Sequence, residues 1–72
     1  MKLPIISGFD AVKAFSHVGY TISRQTGSHI ILYKEGSVPL SVPNHRQLDK
    51  GTLRKLIRNS GLTVEEFVHI TR

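Results

Sequence analysis

The sequence predicts an α+β domain, with one three-stranded antiparallel sheet and helices packed on one of its faces. Three observations predict it. Ala11, Val12, Ala14, Phe15 and Val18 recur at helical spacing. Between Tyr20 and Val42, strand-like runs are separated only by short glycine-containing turns. Leu53, Leu56 and Ile57 then supply a second helical stripe.

Each element has a local cause. Ser7 can accept a hydrogen bond from a free backbone N–H, and Asp10 suits the positive end of a helix. Gly19 tolerates the left-handed conformation that stops one. The first helix is therefore expected from about Gly8 to Val18. Tyr20 to Gln25 alternates, setting Tyr20, Ile22 and Arg24 against Thr21, Ser23 and Gln25. Thr26-Gly27-Ser28 reads as a hairpin turn. His29 to Lys34 follows, apolar on both faces, which suits a central strand. Ile30 and Leu32 are expected inward, and His29, Ile31 and Tyr33 outward. After the turn Glu35-Gly36-Ser37, residues Val38, Leu40 and Val42 are expected on one face. Pro39 cannot donate to a ladder, so this third strand belongs at an edge.

Pro43 to Lys50 is a polar connection containing Asn44, His45 and Arg46. The second helix should begin near Asp49 or Lys50 and end at Gly61. Its exposed surface carries Lys50, Arg54, Lys55 and Arg58. Thr63-Val64-Glu65-Glu66 forms a capping box, and Leu62 can pack on Phe67 as a hydrophobic staple. A short last helix is expected from about Val64 to Ile70, giving the order α-β-β-β-α-α.

At 72 residues the chain is expected to be a single domain spanning residues 1–72. It has no cysteine, so neither a disulfide nor a thiolate metal site is available. No stretch has the layout of a signal peptide, and no apolar run approaches the roughly 20 residues that cross a bilayer. A small soluble intracellular domain, with no membrane contact, is the expectation. Ten Lys and Arg against five acids give a formal charge of +5. That bias points to a polyanion as first partner, with solubility alone as the plainer explanation.

No phosphate-binding GxxxxGK[ST] loop, HExxH pair or paired-carboxylate arrangement occurs, and no metal or cofactor is expected. Four histidines remain. His17 and His69 read as helix-surface or capping residues. His45 could contact phosphate or hold its loop. His29 follows Gly27 and Ser28, whose small side chains allow close approach, with Arg24 and Lys34 near in sequence. Imidazole can take a proton and return it near neutrality. RNA supplies its own nucleophile, the 2′-hydroxyl, so one histidine among cations could promote cleavage without metal, and DNA would resist. From spacing alone, a strand-edge histidine is more often structural than catalytic, and both roles stay open.

Three stretches bear on the choice. They are Leu3-Pro4-Ile5-Ile6-Ser7-Gly8 with Gly19-Tyr20; Arg24-Gln25-Thr26-Gly27-Ser28-His29; and Val42-Pro43-Asn44-His45 with the run from Lys50 to Arg58 and Gly61 to Phe67. In these the chain resembles the HicA family of small toxins from toxin–antitoxin systems. The resemblance spans almost the whole chain in order. It implies a double-stranded-RNA-binding-like fold and an endoribonuclease that cuts mRNA, with the catalytic histidine at His29. It implies a HicB-type antitoxin as protein partner. Many family members carry a second histidine directly after the catalytic one, where this chain has Ile30. That departure removes a candidate general acid, leaving water, a lysine or a distant His45. Domains of this fold commonly grip phosphates from the start of the second helix, where Lys50, Arg54 and Lys55 stand. Losing one of them should flatten the salt dependence of RNA binding. A non-catalytic RNA-binding module, or a degenerate toxin kept for antitoxin binding, are the alternatives.

Overall fold

The structure, a computed structural model, describes residues 2–71. Its elements run α1 (Gly8–Ser16), β1 (Thr21–Thr26), β2 (His29–Tyr33), β3 (Leu40–Pro43), α2 (Lys50–Ser60) and α3 (Val64–Thr71). The sheet order is β1-β2-β3, with both pairs antiparallel. This is the expected α+β architecture, with the apolar strand central.

Helix starts and stops follow the local signals. Ser7 caps α1, accepting from the Asp10 N–H at 3.0 Å. Past Ser16 the backbone tightens: the N–H groups of His17, Val18 and Gly19 donate to carbonyls three residues back. The regular helix thus ends two residues before Val18, and the turn closes at Gly19 with φ +104°. Asp49 caps α2, and its carboxylate accepts from the Thr52 N–H at 3.1 Å and the Thr52 hydroxyl at 2.7 Å. Gly61 terminates α2 in the left-handed region at φ 85°. The capping box of α3 closes in both directions: Thr63 N–H donates to Glu66 at 2.8 Å, and Glu66 N–H to the Thr63 hydroxyl at 3.1 Å.

The two hydrogen bonds from Thr52 hold the Asp49 carboxyl below its ordinary value. A carboxylate with a lowered native pKa adds stability above its unfolded pKa of about 3.9, and the gain fades as pH falls through the native value. Asp49→Ala should therefore melt below wild type at pH 7. The two melting curves should converge in acid, as thermal melts across pH 2–7 would show.

One hydrophobic core joins the layers. Ala11, Val12, Ala14 and Phe15 of α1 meet Ile30, Leu32, Leu40 and Val42 of the sheet and Leu53, Leu56 and Ile57 of α2. Phe67 of α3 is fully buried, with its ring 5.1 Å from that of Phe15. Tyr20 is buried with its ring edge-to-face with that of Phe15 at 6.0 Å, and its hydroxyl donates to the Val38 carbonyl at 3.0 Å. Burying this ring therefore leaves no unpaired hydroxyl. Ile30 and Leu32 face the helices, while His29, Ile31 and Tyr33 occupy the outer face.

Two expectations are corrected. Val38 and Pro39 precede the third strand, and Val38 is exposed, so it does not share the inner face with Leu40 and Val42. Its carbonyl is instead taken by Tyr20. In β1 the pairing register shifts between Ile22 and Arg24, so Ser23 is a bulge residue. Alternation alone places Arg24 with Ile22. The bulge instead sets Arg24 opposite Ile31, on the outer face. Bulges are a common device at exposed sheet edges, and all six β1 residues are exposed.

Candidate functional site

The outer face at one end of the sheet is built around His29. It opens β2, stands opposite Thr26 of β1 and Pro43 of β3, and is exposed. The two-residue turn before it has positive φ only at Gly27, +54°, as a type II′ hairpin requires. The Ser28 carbonyl accepts from the Asn44 N–H at 2.6 Å, tying the turn to the β3–α2 connection. The next residue, His45, accepts at its carbonyl from the Gly8 N–H at 2.9 Å. The hairpin end, the connection and the first residue of α1 are thus linked by main-chain bonds, which do not depend on the side chains of His29 or His45.

Gly8 makes that link possible. A Cβ there would fall 1.9 Å from the Pro43 carbonyl oxygen, so any larger residue must push backbone apart. Overpacking of this kind costs about 1–3 kcal/mol. Gly8→Ala should lower the urea midpoint and shift the amide resonances of Ser28, Asn44 and His45. Unchanged resonances at those three positions would contradict the link.

The charged candidates divide into groups. Arg24, turned outward by the bulge, is the diagonal neighbour of His29 on the same face, a separation of roughly 7–8 Å. Lys34 is not brought to this end. Five residues of extended chain put it about 16 Å away along β2. There its ammonium lies 5.8 Å from the centre of the Tyr20 ring, and its stem lies beside Gly19. Lys50 and Arg54 line a concavity of about 410 Å³ together with Lys2, Leu3 and Ile5. Lys55 is exposed one position further along α2, as is Arg46 in the connection. His17 closes α1 as its C-terminal cap, and His69 is exposed on α3. Among the described residues, no three His, Asp or Glu side chains are grouped so as to hold a metal ion. No helix there is long and apolar enough to cross a membrane.

Lys2 was not legible as part of this surface. It comes beside Lys50 and Arg54 because the N-terminal segment is anchored by the Leu48 N–H donating to the Ile6 carbonyl at 2.9 Å. A contact over that sequence separation leaves no local signature, and only the overall charge hinted at it.

A family profile described as the HicA toxin of bacterial toxin–antitoxin systems matches residues 8–62. The chain belongs to the HicA toxin family. Among solved structures, this HicA chain is similar to one from a "Toxin-Antitoxin complex from Streptococcus pneumoniae", with 31% identity and a TM-score of 0.72. That likeness covers 79% of this chain and 98% of the other. Comparison with curated protein sequences gives no significant match. The matched span contains His29, Arg24, Lys34, His45 and the basic start of α2, while Lys2 and α3 lie outside it. The HicA resemblance also gives Ile30 a structural meaning. Ile30 is 3% exposed and faces the core, so the position after His29 supplies packing and presents nothing to the outer face.

Proposed function

We propose that residues 1–72 act as a toxin domain that cuts mRNA as an endoribonuclease, using no metal and taking His29 as its general base. The observation that carries the reading is the placement of His29: exposed, on a hydrogen-bonded ledge, on the same sheet face as Arg24. Membership of the HicA toxin family supports the same reading.

The chemistry follows from what each group can do. A neutral imidazole at His29 accepts the proton of a ribose 2′-hydroxyl. The resulting oxygen attacks the adjacent phosphorus, and the phosphorus–O5′ bond breaks. Negative charge grows on the non-bridging oxygens, where the permanently charged guanidinium of Arg24 stabilises it. Lys50, Arg54 and Lys55, with Lys2, serve to hold flanking phosphates. Lys34, at the far end of β2, serves as a remote phosphate contact. Gly27 and Ser28 position the base through the turn.

An antitoxin of the HicB type is the proposed protein partner. The support is that the similar chain was solved in a toxin–antitoxin complex. The +5 charge and the exposed apolar residues Ile22, Tyr33 and Val38 suit a partner segment that is acidic and partly apolar. Both partners would act in the cytoplasm, where mRNA is found.

Incubating the purified protein with a defined RNA and its all-deoxy counterpart tests the reading. Cleavage of the RNA alone is expected. Duplex or single-stranded RNA bound but never cut would instead leave a non-catalytic RNA-binding module of this fold.

A further inference from the structure

We infer that His45 is the general acid of the cleavage reaction, paired with His29 across a single phosphodiester. The inference rests on the ribonuclease reading above and names the group which that reading leaves unassigned.

The sheet register carries it. His29 pairs with Pro43 and Ile30 with Val42. The bond from the Asn44 N–H to the Ser28 carbonyl, 2.6 Å, extends the same ladder one step past the end of β3. Position 45 then falls level with Gly27. The alternation that puts Ser41 and Pro43 on the outer face returns to that face at His45, which is exposed. His29 and His45 become diagonal cross-strand neighbours, roughly 7–8 Å apart. Imidazoles borne on backbones that close can each reach one end of a phosphate placed between them, through hydrogen bonds of roughly 3 Å. The carbonyl of His45 accepts from the Gly8 N–H, which holds its backbone, while the residue is exposed.

Elimination points the same way. Ile30 is in the core, and Lys34 lies at the other end of β2. Arg24 does not give up its proton in the range where proteins work. His17 and His69 belong to α1's end and to α3. At this end of the outer face, His45 is the second imidazole beside His29. The proton balance then closes. His29 takes the 2′-hydroxyl proton as the O2′–phosphorus bond forms. The imidazolium of His45 protonates the O5′ oxygen as its bond to phosphorus breaks. The products are a 2′,3′-cyclic phosphate and a free 5′-hydroxyl.

The test compares ordinary RNA with the same RNA bearing sulfur in place of O5′ at the cut site. A thiolate departs without needing a proton. His45→Ala is expected to cut ordinary RNA about 10²–10⁴-fold more slowly than wild type. On the thiolate substrate it should recover to near the wild-type rate, while His29→Ala stays slow on both. His45→Gln, which keeps a polar side chain, should behave as His45→Ala, with an unchanged melting midpoint. A wild-type rate for His45→Ala on ordinary RNA would overturn the assignment. So would an equal loss on both substrates, which would mark a role in binding or loop shape. If the wild type cuts neither RNA, the ribonuclease reading itself falls, and this inference with it.

Discussion

His29→Ala is expected to cut RNA about 10²–10⁴-fold more slowly than wild type, a loss of about 2.7–5.4 kcal/mol in transition-state stabilisation. The fold should be unaffected. His29 is exposed, and its neighbours are held by main-chain bonds at Ser28 and Asn44. Surface changes of this sort usually stay within about 0.5 kcal/mol of wild type. RNA affinity should also survive, because the phosphate contacts proposed above lie at Arg24 and the start of α2. Single-turnover cleavage, a binding isotherm and a melt on the same preparation separate the three quantities. Cleavage at the wild-type rate would remove His29 from the chemistry.

The second large effect concerns the core. Phe15→Ala removes a ring with no solvent exposure that lies between Tyr20 at 6.0 Å and Phe67 at 5.1 Å. Such truncations cost about 3–5 kcal/mol. A domain of this size has roughly 4–11 kcal/mol in all, at about 0.05–0.15 kcal/mol per residue. The variant should lose about a quarter or more of its stability, and its urea midpoint should fall by at least about 1 M. A shift much smaller than that would mean that α1, Tyr20 and α3 do not share one packed centre. Phe67→Ala should be non-additive with Phe15→Ala, since the two rings are in contact.

The features readable from sequence are those with local causes. Ser7, Asp49 with Lys50, Gly61 and the Thr63–Glu66 box each act within a few residues, and each marks its helix boundary. The inward set of Ile30 and Leu32 follows from a period of two and a single buried face. What escaped depends on contacts far apart in the chain. The Ser23 bulge turns Arg24 onto the His29 face, and nothing in the alternation of Tyr20 to Gln25 announces it. Lys34 is close to His29 in number, yet it lies at the other end of a stiff strand. Lys2 reaches Lys50 and Arg54 only through the Ile6–Leu48 bond. Ile30 stands where many family members carry a second histidine, and only its burial shows that this side chain packs in the core.

The chemical ends of the RNA fragments report the reaction most directly. Purified protein should be incubated with a defined RNA in excess chelator, and the fragments analysed by mass. A 2′,3′-cyclic phosphate on one fragment and a 5′-hydroxyl on the next, formed at an undiminished rate, is the predicted result. A 5′-phosphate product, or cleavage that stops until a divalent ion is restored, would contradict it.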